Sequence, residues 1–195
     1  MAMLPQKGHR PAILPAILLL LAMAGCAREE GPKRVTEPRL TQAPAPRGAA
    51  LLRRAMLEAH TAARAVVGEP PLVWDDRLAA DAQGYADTLA RSGRFEHADQ
   101  PQGPGREGEN LWTGTREAYR YDEMVAAWAA ERADFVDGIT PAFSRTGRWE
   151  DVAHYTQMIW RGTTAIGCAT ASGRRDDYLV CRYAPAGNVV GERAY

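Results

Sequence analysis

Apolar side chains recur every three or four positions after residue 48, and this spacing predicts two amphipathic helices. The first covers residues 49 to 67, and Gly68 ends it together with the prolines that follow. Asp75 can cap the second helix, which Gly93 ends. The inward-facing positions are Leu52, Met56, Ala59, Ala63, Val66 and Val67, then Leu78, Ala82, Tyr85, Ala86 and Leu89.

The second half of the chain has a third helical pattern and two short extended ones. The third helix is predicted over residues 117 to 133, with Trp128 among its inward positions. Residues 164 to 170 and 178 to 184 are predicted to form strands around a polar turn. A loop rich in glycine and proline covers residues 99 to 108, and an irregular stretch ends near Trp149. Three helices, a small antiparallel sheet and long loops indicate the α+β class.

The N-terminal segment is typical of an exported protein. Lys7, His9 and Arg10 precede an apolar run over residues 12 to 24 that is too short to span a bilayer comfortably. Small residues then precede Cys26, which resembles a bacterial lipobox and predicts a signal peptide over residues 1 to 25 and lipidation of Cys26. The alternative is a plain signal peptide with an incidental cysteine.

Between the signal and the helices, residues 26 to 48 are rich in proline and charge, which predicts a flexible tether. Residues 49 to 195 then form one domain. The formal net charge of zero gives no electrostatic basis for binding nucleic acid, and no basic cluster interleaved with aromatic residues is present.

The chain has three cysteines, and lipidation of Cys26 leaves Cys168 and Cys181 as one pair. These two flank the polar turn at 172 to 177, and pairing the strands symmetrically about Arg174 and Arg175 sets them opposite each other. In an oxidising compartment this predicts a cross-strand disulfide. Two free thiols and metal ligation are the alternatives.

Four residues stand out as candidate chemistry: His97, Glu109, Glu131 and His154. Glu131 falls close to the buried stripe of the third helix, so its carboxylate needs a hydrogen-bond or charge partner. The four are spread over nearly sixty residues and show no local metal-ligand spacing, so their convergence does not follow from the residues alone. His60 shares a face with apolar residues and is interpreted as a core histidine.

An ordered set of short motifs resembles the CAP superfamily, the cysteine-rich secretory, antigen 5 and pathogenesis-related class 1 proteins (SCP domain). The segments are GEN at 108 to 110, W-x-x-E at 128 to 131, HYTQMIW at 154 to 160, GCA at 167 to 169 and YLVCRYAPAGNV at 178 to 189. The resemblance covers residues 50 to 195 and implies an α–β–α sandwich. It also implies that His97, Glu109, Glu131 and His154 converge in one solvent-accessible cleft. Thr61 departs from the family's first-helix pattern, which has asparagine there.

The resemblance implies several functions. Two imidazoles beside two carboxylates suit a divalent metal, with zinc the natural candidate, although no cofactor is required. The enzymatic alternative is a zinc-dependent hydrolase with Glu109 or Glu131 as its base. The non-functional alternative is that the four residues form a polar network that only stabilises the loops. Some relatives carry small lipids in an apolar groove or beneath the loop that corresponds to residues 161 to 166.

The function favoured is non-enzymatic binding or interaction at the bacterial cell envelope. The N-terminal lipid on Cys26 anchors the protein to a membrane, the outer one if the envelope has two, or else the protein is extracellular. The expected ligands are a divalent metal, a small apolar molecule in the His/Glu cleft, or another envelope component.

Overall fold

The computed structural model describes residues 35–36, 41–101, 103 and 105–195. The predicted signal peptide, Cys26 and much of the tether lie outside these residues. Over the described part of the chain, the helices are α1 (Ala49–Val67), α2 (Asp76–Ser92), α3 (Tyr121–Ala130) and α4 (Ala153–Ile159). The strands are β1 (Val73–Trp74), β2 (Gly108–Thr115), β3 (Ala165–Ser172) and β4 (Asp176–Ala184), and single 3-10 turns cover Glu131–Ala133 and Trp149–Val152.

The first two helices have the bounds that their end signals predict. Gly68 follows α1 in the left-handed conformation, with φ of 79°. The Asp75 carboxylate accepts hydrogen bonds from the backbone N–H groups of Arg77 and Leu78 at the start of α2. No helix among the described residues is both long enough and apolar enough to cross a membrane.

The third helix is shorter than residues 117 to 133. Glu117 has a positive φ of 59°, which a right-handed helix does not accommodate, so the chain turns before the helix begins. The Glu123 carboxylate accepts the backbone N–H of Arg120 at 2.7 Å, and this bond helps to start α3 at Tyr121. The helix ends at Ala130 and tightens into the 3-10 turn that contains Glu131.

The sheet has the order β1-β3-β4-β2 and is mixed, because the parallel strand β1 is added to the small antiparallel sheet that the sequence predicts. β4 pairs with β2 and β3 in the antiparallel sense, whereas β1 pairs with β3 in the parallel sense. The sequence indicates a brief extended segment over residues 72 to 74, where β1 lies, but it does not predict β2, and both strands carry weak signals. β1 has only two residues, and β2 reads GENLWTGT, in which polar residues and glycines replace the alternating apolar pattern.

The hairpin register is the one that symmetry about Arg174 and Arg175 predicts. Cys168 lies opposite Cys181 in the β3–β4 pair, and the two form a disulfide. This confirms the predicted cross-strand bond.

The sheet lies between two helical layers, which confirms the predicted α–β–α sandwich. One face packs against α1, α3 and α4, through residues that include Met56, Trp128 and Leu179. The other face packs against α2, through residues that include Leu89, Leu111 and Val180. Residues of β2 therefore alternate between the two layers, and this alternation positions the candidate site.

Candidate functional site

β2 is the edge strand of the sheet, because it pairs with β4 on one side alone. Glu109 and Asn110 are neighbours on this strand, so their side chains project to opposite faces. Glu109 lies on the face covered by α2, beside Arg182 in the register, and Asn110 lies on the other face, beside Cys181. The candidate residues are arranged around these two positions.

The first histidine–carboxylate pair is His97 with Glu109. His97 Nδ1 lies 2.7 Å from Glu109 Oε1, which also accepts the backbone N–H of Ala98 at 3.0 Å. The Glu109 side chain is 5% exposed, whereas that of His97 is 65% exposed. A buried carboxylate therefore presents an imidazole to solvent.

Arg182 compensates the buried charge of Glu109. Its Nη2 lies 2.8 Å from Glu109 Oε2, as an ion pair without good hydrogen-bond alignment. Its Nη1 lies 3.3 Å from Glu107, which in turn pairs with Arg77 at 2.7 Å. The Arg182 guanidinium also stacks over Tyr85, 5.4 Å from the ring centroid. Alternating charges thus make it possible to bury Glu109 beneath α2.

Sequence reasoning missed Arg182 as part of this site. The signal that could have found it is the register of β2 with β4, which places Arg182 opposite Glu109. Burial and the Glu109 charge raise the pKa of the neighbouring Tyr85 hydroxyl to about 12, so this group stays protonated at neutral pH.

The second pair is His154 with Glu131. His154 Nδ1 lies 2.5 Å from Glu131 Oε1, and Glu131 Oε2 accepts the backbone N–H groups of His154 and Tyr155 at 3.0 and 3.1 Å. Glu131 thus lies at the start of α4, where free N–H groups favour a negative charge. The His154 ring stacks on Trp128, with centroids 5.8 Å apart and planes at 15°.

Two hydrogen bonds connect the second pair to β2. The Asn110 side chain donates to the backbone carbonyl of His154 at 3.1 Å. The Trp128 ring stacks on His154, and its indole N–H donates to the carbonyl of Leu111 at 3.1 Å. Both histidine–carboxylate pairs are therefore attached to three consecutive residues of one edge strand, Glu109, Asn110 and Leu111.

The donor set of this site consists of imidazole nitrogens. Each histidine directs Nδ1 to a carboxylate, which leaves Nε2 as the atom available to a ligand. Across the described part of the chain, no group of three or more histidine, cysteine, aspartate or glutamate side chains is arranged to hold a metal ion.

Polar residues of α4 hold the loop that follows β4 and contains Gly187 and Asn188. Gln157 Oε1 accepts the backbone N–H of Gly187 at 2.9 Å, and its amide donates to Thr163 at 3.1 Å. Thr156 donates to the side chain of Asn188, which adopts the left-handed conformation with φ of 55°. These bonds hold the segment at 154 to 160 against residues 187 and 188.

Gly108, at the start of β2, packs directly against the side chain of Gln157 in α4. A Cβ added to Gly108 would lie 2.2 Å from Gln157 Oε1, so a larger residue would displace the glutamine.

His60 is a satisfied core histidine, as predicted. It is fully buried, its Nδ1 donates to the carbonyl of Met56 at 2.7 Å, and its Nε2 accepts from the Tyr183 hydroxyl at 2.9 Å. The carbonyl can only accept, and this assigns the proton to Nδ1. Burial is the main reason that the pKa of His60 falls from 6.5 to about 4.

The lowered pKa of His60 makes folding stability depend on pH. The unfolded chain binds a proton at His60 below pH 6.5, whereas the folded chain excludes it until about pH 4. Stability therefore falls as the pH decreases through this window. Between pH 7 and pH 4.5, the free energy of unfolding of the wild type should fall by about 2 kcal/mol more than that of a His60→Gln variant. Urea unfolding of both proteins at the two pH values measures this difference, and parallel losses in the two proteins would contradict it.

Comparisons with known proteins agree on one family. The family model described as CAP, the cysteine-rich secretory protein family, matches residues 57–183. Pathogenesis-related protein 1C of Nicotiana tabacum is 38% identical over 141 residues, which cover 71% of this chain and 78% of that protein. Protein PRY2 of Saccharomyces cerevisiae is 38% identical over 142 residues, which cover 71% of this chain and 39% of that protein.

Solved structures show the same fold at lower identity. BmVAL-1 is similar with a TM-score of 0.60 and 23% identity, covering 80% of this chain and 86% of that one. The crystal structure of NaASP2 with Zn2+ is similar with a TM-score of 0.59 and 24% identity, covering 75% of this chain and 86% of that one.

Proposed function

This chain belongs to the CAP family, and on that premise we propose that it is a non-enzymatic binding protein whose cleft coordinates a divalent cation through His97 and His154. The observation that carries the proposal is that two histidines, each with Nδ1 held by a carboxylate, are hydrogen-bonded to consecutive residues of β2. His97 is bonded through its ring to Glu109, and His154 through its backbone carbonyl to Asn110.

The carboxylates act as orienting groups in this proposal. A histidine that binds a metal through Nε2 commonly donates its other ring N–H to a carboxylate, which fixes the tautomer and raises the basicity of the ligand nitrogen. Glu109 and Glu131 have this relation to their histidines, at 2.7 and 2.5 Å. The residues therefore fit a cation held by two imidazoles and water.

Zinc is the cation to test first. Neutral imidazole suits Zn2+ among the divalent ions. NaASP2, which shares the fold, was solved with Zn2+. With only two protein ligands, the site is expected to bind more weakly than a structural zinc site that has four.

We expect calorimetric titration with zinc to give one saturable site in the wild type and none in a His97→Ala/His154→Ala double variant. Glu109→Gln and Glu131→Gln should each weaken binding by about 10- to 100-fold, because they remove the orienting acceptors. Glu150→Gln, at an exposed position, is the matched control and should bind as the wild type does. Equal heats for the wild type and the double variant would end the proposal.

The geometry favours binding over hydrolysis. Glu131 already accepts three hydrogen bonds, and Glu109 is held by His97, Ala98 and Arg182. A general base needs an accessible oxygen within reach of the water that it activates. Both candidate bases are engaged in contacts within the protein, so the hydrolase alternative has no support here.

A second proposed ligand is an acyl chain in a groove between α1 and α3. The groove has a volume of about 800 Å³, and alanine and valine supply eight of its 17 lining residues. The charged residues of the lining are Arg54, Arg120, Arg132, Glu58 and Asp122. This volume lies within the range of small-molecule sites, about 300 to 1,000 Å³. A small apolar ligand was expected in the His/Glu cleft, but none of the four cleft residues lines this groove, nor does the loop at 161 to 166. An aliphatic chain would fill the groove, and its carboxylate would contact an arginine.

We expect a 16-carbon fatty acid to bind this groove, and Ala126→Trp to weaken its binding at least tenfold by filling the space. Ala126 lines the groove. Ala80→Trp, on the exposed face of α2, is the matched control. Displacement of a fluorescent fatty acid measures both affinities. Equal loss of affinity in the two variants, or no loss in either, would contradict the assignment.

Export and lipid anchoring complete the proposal. The disulfide suits an oxidising compartment, and a similar protein of Candida albicans is named secreted protein RBT4. Lipidation of Cys26 would attach the domain to a membrane, on the bacterial outer membrane if there are two. The mass of the mature N-terminal peptide distinguishes a lipidated Cys26 from an unmodified one.

A further inference from the structure

Four exposed arginines lie at one end of the sheet, around the turn between β3 and β4. β2 ends there as well, because its last residue pairs with the first residue of β4. The backbone N–H of Arg116, which follows β2, donates to the carbonyl of Arg175 in the turn at 2.8 Å. Helix α2 also ends against this turn, since a Cβ added to Gly173 would lie 3.0 Å from the carbonyl oxygen of Ala90. The exposed arginines, named here the arginine end, are Arg91, Arg116, Arg174 and Arg175.

The acidic groups beside the turn are buried or ion-paired. Asp177 is buried and pairs with Arg47 at 2.6 Å, and Asp176 beside it is also buried. Glu117 is half exposed and pairs with Arg116 at 3.6 Å. These carboxylates therefore leave the other arginines of this end without a partner.

The carboxylates of the two neighbouring helices also have partners of their own. Asp87 of α2 accepts the side-chain amide of Gln83 at 2.8 Å. Asp122 and Glu123 of α3 both pair with Arg120 at 3.0 Å. Among the described residues, no carboxylate forms an ion pair with the three remaining arginines, which are Arg91, Arg174 and Arg175. Their guanidinium groups can therefore contact an anionic ligand.

The N-terminal segment joins the domain at the arginine end. The N–H of Ala45 donates to the carbonyl of Glu117 at 2.8 Å, and Arg47 pairs with Asp177 at the start of β4. Eighteen residues separate Ala45 from Cys26, the proposed site of lipidation. A chain of this length spans at most about 65 Å. A membrane that holds Cys26 is therefore within reach of these arginines.

We propose that the arginine end binds the anionic phospholipid headgroups of the membrane that holds the anchor. This inference rests on the proposed lipidation of Cys26, which supplies a high local concentration of membrane surface. Arginine is attracted to anionic headgroups and binds phosphate oxygens through paired N–H donors. The formal net charge of the whole chain is zero, so the position of the arginines decides which part of the domain faces the membrane.

This orientation directs the His97/His154 cleft away from the membrane. The cleft is attached to residues near the start of β2, whereas Arg116 follows the end of that strand. Glu109 and Arg116 are seven residues apart in the chain, which is about 20 Å along an extended strand. The cleft therefore stays open to ligands dissolved beside the membrane.

The first test measures the sedimentation with vesicles of a chain from residue 26 to 195 that carries Cys26→Ser. This chain contains every residue that the structure describes and cannot be lipidated. At about 0.1 M salt, we expect it to bind vesicles of equal parts phosphatidylglycerol and phosphatidylcholine, and not vesicles of phosphatidylcholine alone. Arg174→Gln/Arg175→Gln should weaken this binding about 25-fold, because each arginine contributes about fivefold.

A matched variant tests whether the position of the charge matters. Arg145→Gln/Arg161→Gln removes two exposed arginines that lie elsewhere, Arg161 before β3 and Arg145 beyond α3. It should weaken binding less than about twofold, because charges more than about 10 Å from the membrane are screened at this salt concentration. Thermal unfolding of both double variants should match the wild type, since all four side chains are exposed. Equal losses of binding in the two variants, or equal binding of the wild type to neutral vesicles, would overturn the proposal.

The second test measures orientation and keeps the arginine end separate from the anchor. The other two cysteines are bonded to each other, so a maleimide lipid in a nanodisc of the same anionic mixture couples to Cys26 alone. The mass of the mature N-terminal peptide tests lipidation in the cell independently of this coupling. With spin-labelled headgroups, paramagnetic broadening is expected at the amides of Arg174 and Arg175 and not at that of Glu109. Stronger broadening at Glu109 would contradict the proposal, whatever the mature protein carries at Cys26.

Discussion

Replacing Arg64 with methionine is expected to lower the free energy of unfolding by about 4 kcal/mol, which is a large fraction of the stability of a domain. Arg64 is 1% exposed, and its guanidinium donates to the carbonyls of Pro70, Met158, Trp160 and Thr163 at 2.5 to 3.3 Å. Methionine fills a similar volume but removes all four of these hydrogen bonds, although the Trp160 carbonyl still accepts the backbone N–H of Thr163 at 3.1 Å.

Two further variants test the cause of this loss. Arg64→Lys keeps the charge but cannot reach several carbonyls at once, so it should lose about half as much stability. Arg54→Met removes an exposed arginine from the same helix and should change stability by less than about 0.5 kcal/mol. Urea unfolding measures all three proteins. A loss below about 1 kcal/mol in Arg64→Met would show that the carbonyls find other donors.

The second large effect is expected at Gly167, where α2 crosses β3. A Cβ added here would lie 2.2 Å from the backbone nitrogen of Ala79 and 2.5 Å from the carbonyl oxygen of Asp75. Both atoms belong to the first turn of α2, in which Ala79 donates to Asp75. Backbone cannot rotate away as a side chain can, so Gly167→Ala must separate the helix from the sheet. We expect a loss of about 4 kcal/mol, above the usual range for overpacking.

Gly84→Ala is the matched control for this prediction, and its effect has the opposite sign. Gly84 lies within α2, and an added Cβ would meet no atom within 4 Å. Alanine there should stabilise the protein by about 0.5 to 1 kcal/mol, because it restricts the unfolded chain. The free energies of unfolding of the two variants, measured in urea, should therefore change in opposite directions. A small loss in Gly167→Ala would mean that α2 can shift at little cost.

The features that follow from local pattern were predicted from the sequence. The bounds of α1 and α2 depend on Gly68, Asp75 and Gly93, and each signal acts within its own turn. The register of the β3–β4 hairpin follows from symmetry about the turn, and it set Cys168 against Cys181.

The features that depend on distant contacts could not be predicted in this way. β2 contains Glu109 and Asn110 at positions that tertiary contacts stabilise, and these polar residues conceal its strand pattern. The role of Arg182 depends on the pairing of β2 with β4, which are separated by more than sixty residues. The attachment of both histidine pairs to one strand likewise needs the folded sheet, and the family resemblance implied only that the four residues converge in one cleft.

The cation site is tested most directly by anomalous diffraction at the zinc edge from crystals grown with zinc. A single peak is expected about 2.0 to 2.1 Å from Nε2 of both His97 and His154. Crystals of the His97→Ala/His154→Ala variant should lack it. A wild-type cleft without a peak, or zinc bound elsewhere while both imidazoles stay unliganded, would contradict a two-histidine site at the edge of β2.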